Sequence, residues 1–245
     1  MSIITYHSRL TGAYYYINYN KDNASNEPVT GKEGIANAGM IRDYLRNVLG
    51  WRPNQVVGAV ASAHWYARMN PAKGFGVPDA TMGGYWQKDT RALYNVWRSA
   101  YGDDKYQYGD APLMLMRGHV AENAGFNYTG IRGDAPLTFR SYLATSNMTV
   151  GDAFFYFYHG YVFSGITSML ITEEQCNQQA RYWYGVLYNG QDDGEGDPDL
   201  PPAPLPEEGD AKKDYIWKHV VIPLIFSGKC ANISGRKTYL RGDCT

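Results

Sequence analysis

Cysteine is scarce in this chain: three among 245 residues, Cys176, Cys230 and Cys244, none paired at CxxC spacing. That excludes a disulfide scaffold and a cysteine-built zinc site. Cys230 and Cys244 could bridge in an oxidising compartment, but reduced thiols are the expectation. Charge is equally unremarkable, with a formal net charge of −1, so there is no broad basic face for nucleic acid or an anionic membrane. No apolar run approaches the roughly 20 residues that span a bilayer, and stable membrane insertion is not expected. The first residues, MSIITYHSRLTGAYYYINYN, lack a basic start followed by an apolar core, so synthesis in the cytoplasm without a signal peptide is the expectation. GxxxxGK[ST], HExxH and GxSxG motifs are absent too. Neither a metal nor a cofactor is expected.

What the chain has in excess is tyrosine, 22 residues, on an ordinary hydrophobic content of 44%. Tyrosine gives rigid amphipathic area, suited to core rims, interfaces and sugar-stacking surfaces. The organising stretch runs from Asn37 to Pro71 and reads as two consecutive helices broken at Gly50-Trp51-Arg52-Pro53. In the first, Ile41, Tyr44, Leu45, Val48 and Leu49 recur at the spacing of one buried face. Gly50 stops that helix and Pro53 fits the first turn of the next. Small residues line the second, Gly58, Ala59, Ala61, Ser62 and Ala63, so other elements can approach it closely. It ends in a cluster of His64, Trp65, Tyr66, Arg68 and Asn70.

Residues 1–29 read as an N-terminal arm or hairpin, with a strand-like patch from Ala13 to Tyr19. Thr30 and Glu33 have capping-box spacing and start the first helix near Gly31. After the second helix comes a glycine-rich loop, then a helix carrying Leu93, Val96, Trp97 and Tyr101, and another opened by Asp110 and Pro112 and closed near Gly125. Leu137 to Leu143 is a short helix. Thr149 and Asp152 cap the run from Ala153 to Tyr158, apolar on nearly all sides and therefore buried. Thr172 and Gln175 open a last helix through Ala180, Trp183, Tyr184 and Leu187. About seven helices thus pack into one mainly α domain over residues 30–190. Residues 191–212 are an acidic Pro/Gly linker that cannot bury a core. Residues 213–245 are a short apolar tail that docks on a partner or on its own domain. The Arg-Gly-Asp triplets at 132–134 and 241–243 read as turns.

Taken in order, these features resemble the phage tail lysozyme family, the muramidase-like domain of podovirus tail knobs, tail tips and tape-measure proteins. That family reads NA..I..YL...GW....I.GILGNM..ES..NP. The residues that correspond are Asn37, Ala38, Ile41, Tyr44, Leu45, Gly50, Trp51, Val57, Gly58, Ala59, Val60, Ala61, Asn70 and Pro71. Gly84-Tyr85-Trp86-Gln87 is a weak counterpart of its GYGL.QW.P motif, and Phe154 to Tyr158 and ARYWYGVL at 180–187 match its late aromatic motifs. The resemblance spans about two thirds of the chain. It implies a lysozyme-like helical fold, a setting in the virion tail and peptidoglycan as the ligand.

The departure from the family lies at the catalytic position. The resemblance implies a glutamate four residues before Asn70, as the general acid that protonates the leaving oxygen. Tyr66 stands there, and His64 occupies the place where relatives often carry a second acid. No carboxylate lies between Asp43 and Asp79. A phenol with a pKa near ~10 is a poor donor to a glycosidic oxygen. Glu122, in HVAENAGFNY, resembles an ESGFNP segment and is the rescue candidate, against the plainer reading of a helix-end carboxylate. Asp79 and Asp89 are candidates for a second carboxylate, and His64 and His119 for an unusual proton donor. If a groove is kept, Trp65, Tyr66, Tyr85 and Trp86 would stack on sugar rings while His64, Asn70 and Gln87 bond their polar groups. The expectation is a tail structural protein with a lysozyme-like fold, without activity and able to bind peptidoglycan, its tail docking on other virion tail proteins. The alternatives are an active muramidase using Glu122 or another acid during infection, and a non-viral glycan- or protein-binding module.

Overall fold

The computed structural model describes residues 3–18, 27–73, 83–88 and 107–188. The helix expected around Leu93 to Tyr101, Asp79, Asp89, the acidic linker, the apolar tail, Cys230, Cys244 and the second Arg-Gly-Asp triplet lie outside them. The described chain begins with an antiparallel hairpin, β1 (Ile3–His7) and β2 (Tyr14–Asn18), in register Ile3 with Asn18 and His7 with Tyr14. Helix α1 (Gly31–Asp43) continues into a π-helical turn over Tyr44–Val48. There follow α2 (Pro53–Ala67), α3 (Gln107–Ala121), the short pair β3 (Asn127–Tyr128) and β4 (Leu137–Thr138), α4 (Phe139–Ala144), α5 (Val150–Phe157) with its own π-helical turn over Tyr158–Val162, and α6 (Glu173–Tyr188). The fold is mainly α.

The break between α1 and α2 falls where glycine and proline put it. Gly50 has φ +70 and Pro53 is the first residue of α2. The backbone N–H of Arg52 donates to Gln55 Oε1 at 3.2 Å, and the Gln55 amide nitrogen donates onward to the carbonyls of Tyr142 and Leu143 at 2.9 and 3.1 Å. A buried glutamine therefore fixes the start of α2 and pins it to α4. Thr149 and Thr172 cap as expected: Thr149 Oγ1 accepts from the Asp152 N–H at 3.1 Å and Thr172 Oγ1 from the Gln175 N–H at 3.2 Å. Thr30 precedes α1 but makes no side-chain cap bond, so the capping box expected with Glu33 does not form.

Helix α3 starts a turn earlier than its proline suggests, and Pro112 lies inside it. Asp110 is fully buried and serves the hairpin instead of opening the helix. Its carboxylate accepts from Ser8 Oγ at 2.5 Å and from the Arg9 N–H at 2.8 Å. Two asparagines complete the attachment of the hairpin. Asn37 exchanges hydrogen bonds with both backbone groups of Tyr16, at 2.7 and 2.8 Å, and donates to the Met69 carbonyl at 2.8 Å. The Asn70 amide donates to the carbonyls of Asn18 and Glu27 at 2.7 and 2.8 Å.

The core lies where α2, α5 and α6 pack on one another. Residues 54–63 of α2 are buried all round. So are Phe154, Phe155 and Phe157 of α5, each burial stabilising by about 1.5–3 kcal/mol. Around Phe157 stand Trp51, Trp86, Phe126, Tyr142 and Tyr161, at centroid separations of 5.0 to 6.4 Å. Offset and edge-on contacts of this kind stabilise beyond area alone. The tyrosine excess is thus spent partly inside: Tyr15, Tyr85, Tyr128, Tyr142 and Tyr161 are all fully buried.

At Gly58 a methyl group would lie 2.6 Å from the carbonyl carbon and oxygen of Ala153, whereas at Gly39 of α1 it would meet nothing within 4 Å. Gly58→Ala is therefore expected to destabilise by about 1–3 kcal/mol through overpacking against backbone. Gly39→Ala should stabilise by about 0.5–1 kcal/mol through helix propensity. Urea midpoints at unchanged m-value measure both, and equal effects would refute the close crossing of α2 and α5.

Candidate functional site

The C-terminal end of α2 brings His64, Trp65 and Tyr66 into the setting the sequence pointed to, but their partners are structural. His64 is half-buried; its Nδ1 lies 3.0 Å from Gln179 Nε2, and its ring meets Trp183 edge-on at 5.3 Å. Burial, then the nearby Arg68, pushes the imidazole below its ordinary range, so at neutral pH it carries no charge. Tyr66 is half-buried against Phe163, with centroids 6.2 Å apart, and burial raises its phenol. Tyr158, whose own phenol is pushed up to about 12 by burial and then by Tyr66, lies alongside. A phenol and an imidazole shifted in these directions both stay neutral.

The charge at this end comes from Lys73. Its Nζ donates to the Tyr66 carbonyl at 2.5 Å and sits 4.6 Å above the Tyr66 ring. That carbonyl belongs to the last turn of α2, where no backbone donor remains, so Lys73 acts as a cap and opposes the negative end of the helix dipole. Burial and then Arg68 lower the lysine's pKa. Arg68 itself turns the chain out of the helix at φ 52, its N–H returning to the His64 carbonyl at 2.9 Å. Among the described residues, no carboxylate bonds or pairs with His64, Tyr66 or Lys73.

Three of the expected sugar contacts are corrected by burial. Asn70 is fully buried and holds the hairpin, as above. Tyr85 and Trp86 are 0% and 1% exposed, and Trp86 Nε1 donates to the Ala59 carbonyl at 2.9 Å. Their faces are occupied by the core and do not offer a stacking platform. Gln87 sits half-buried at φ 53 in the tight turn between Gly83 and Lys88, with its Oε1 buried and without a hydrogen bond. Trp65 alone of the expected aromatics stays open, at 37% exposure, with one edge against Phe154. Glu122 lies exposed just beyond the end of α3, its N–H on the Gly118 carbonyl at 3.0 Å. It belongs to a different element from Tyr66 and faces solvent, as a helix-end carboxylate does.

Two polar clusters were not singled out in the sequence. Lys88 places its Nζ 4.5 Å from the centre of the Tyr161 ring, and the Tyr161 hydroxyl is 2.9 Å from His119 Nδ1. Burial pushes Lys88 down to about 8. Burial and then Lys88 push His119 down to about 4. Arg132 binds Asp152 at 3.0 Å and Glu173 at 3.1 Å while lying 4.4 Å over the Phe155 ring. Asp134 accepts from the Tyr128 and Tyr156 hydroxyls at 2.7 and 2.9 Å. Burial works against its ionisation, but those two bonds and Arg132 outweigh it and hold the carboxyl below its usual range. The first Arg-Gly-Asp triplet is a turn, with both charged residues engaged. The turn is the one expected from the sequence, with Gly130 and Gly133 both at φ +80. Among the described residues, no group of three His, Cys, Asp or Glu could hold a metal ion.

His119 gives the pH response of this region a definite sign. Its native pKa of about 4 lies below the ordinary histidine value of 6.5, so between those values the unfolded chain binds more protons and stability rises with pH. The penalty is absent above about pH 6.5 and reaches about 3 kcal/mol by pH 4. His119→Gln is expected to remove that part of the slope, while His64 and His159, also lowered by burial, keep theirs. Urea unfolding of both proteins at pH 7 and pH 4.5 measures it; parallel losses would show that His119 does not titrate in the native core.

Neither a known protein family nor a characterised protein matches this chain, so its function has to be argued from these residues and their geometry.

Proposed function

We infer that this chain is a lysozyme-like helical module of a virion tail that has no muramidase activity and serves as a structural, peptidoglycan-contacting part. One observation carries the loss of activity. Where the resemblance puts the general acid, Tyr66 is half-buried beneath Lys73 and Phe163, and burial raises its phenol further above the useful range. A general acid needs a proton it can release near neutral pH, and neither Tyr66 nor the neutral His64 supplies one. Lys73 is committed to the helix end. The side chain left for a sugar ring is Trp65, exposed on the last turn of α2. An indole face is suited to stacking on the apolar face of a pyranose. Docking on neighbouring tail proteins by residues 213–245 belongs to the same reading.

Purified peptidoglycan is the substrate to test. The wild-type chain is expected to release no reducing ends above buffer, Glu122→Gln to behave identically, and both to sediment with intact sacculi. Trp65→Ala should weaken that sedimentation up to about tenfold, as expected for loss of about 1.4 kcal/mol of stacking. Hydrolysis by the wild type that disappears in Glu122→Gln would overturn the reading and make the chain a working muramidase. Failure of the wild-type chain to sediment with sacculi would remove peptidoglycan as its ligand.

A further inference from the structure

At the opposite end of α2 the structure leaves donors unused beside open space. A cavity of about 330 Å³ lies there, lined by Arg46, Leu49, Trp51, Arg52, Gln55 and Leu143 among others. That volume lies in the range that holds a small organic ligand. Trp51 is only 2% exposed, and its indole N–H is buried without a hydrogen bond. Nη1 of Arg52 is likewise buried and unbonded. An orphaned donor in the interior is costly, and more so when charged. Trp51 and Arg52, which carry these two buried donors, both line the cavity.

The electrostatics fix the kind of acceptor. Arg46 and Arg52 both line the cavity, and among the described residues no carboxylate does. Arg46 spends one donor on the Trp51 carbonyl at 2.9 Å, which orients its guanidinium and leaves other donors of the fork. Gln55 is spoken for, since its amide serves the Arg52 N–H and the α4 carbonyls. The cavity also lies at the N-terminus of a fifteen-residue helix, where the dipole and the first-turn N–H groups favour negative charge. Leu49, Leu143 and Ala144 supply an apolar side. We propose that this cavity binds a small molecule through an oxyanion, a phosphate or carboxylate group, held between the guanidinium groups of Arg46 and Arg52.

The site is distinct from the end of α2 that carries Tyr66. A fifteen-residue helix is about 22 Å long, so the two can be tested apart. The experiment is a chemical-shift titration of the full-length ¹⁵N-labelled chain with inorganic phosphate and, separately, acetate, at constant ionic strength. One of the six tryptophan indole N–H resonances is expected to shift saturably. Tighter response to phosphate assigns a phosphoryl ligand, and tighter response to acetate a carboxylate. Arg52→Gln and Arg46→Gln should each weaken binding about tenfold or more, as loss of a charge-assisted bond does. Arg140→Gln, on an exposed residue of α4, should leave it unchanged. Circular dichroism melting confirms that each variant is folded, and Arg46→Gln stands alone if Arg52→Gln is not. No saturable shift with either anion overturns the proposal, as does binding that survives both arginine variants or falls equally in Arg140→Gln.

Discussion

Helix α2 crosses α5 with no side chain between them at the crossing, the backbone of Ala153 standing where a Cβ on residue 58 would be. Two helices that meet backbone to backbone allow no adjustment by rotamer, so the position of each is set by the other. Much of the remaining structure depends on that constraint. With α5 seated against α2, the ring of Phe157 becomes the centre about which Trp51, Trp86 and Tyr142 gather. Those three residues come from the break before α2, the turn at 83–88 and α4. The aromatic core is thus a consequence of the crossing, and it in turn fixes Trp51 at the mouth of α2.

Attachment of the hairpin follows a different physics. Tyr15 and Ile17 sink into the common apolar core, and three buried polar side chains fix the hairpin's register on it. Asn37, Asn70 and Asp110 each bond backbone groups in or beside the hairpin. An asparagine amide reproduces the donor and acceptor of a peptide unit, so Asn37 pairs with Tyr16 as a neighbouring strand would. Removing one partner of such a bond leaves the other buried and unpaired, which makes these contacts specific as well as stabilising.

This bears on how much the sequence disclosed. Helix limits set by backbone chemistry were legible: Gly50 and Pro53 around the break, Thr149 and Thr172 at their caps, and the buried α5 from its unbroken aromatic run. Limits set by tertiary partners were not. Asp110 and Pro112 mark a helix start by local rule, but the carboxylate is claimed by Ser8 and Arg9, more than 100 residues away. The same holds for the candidate site. A motif identifies residue types and order, and it placed His64, Trp65 and Tyr66 together on one helix end. It carries no information about exposure, so Asn70, Tyr85 and Trp86 were read as sugar contacts when they bond or pack inward. Lys88 gave no local signal and the Arg132 triplet disclosed only its turn, because the significance of both comes from rings and carboxylates contributed by other elements.

The two ends of α2 therefore differ in a way that spacing could not reveal. At its C-terminus the polar groups are used: Lys73 caps a carbonyl, Gln179 meets His64, and burial keeps Tyr66 and His64 neutral. At its N-terminus the helix dipole is positive, two arginines flank a cavity, and an indole and a guanidinium nitrogen remain without acceptors. A helix whose C-terminal end is closed by packing and whose N-terminal end sets two arginines on a cavity is better prepared to hold an anion than to release a proton.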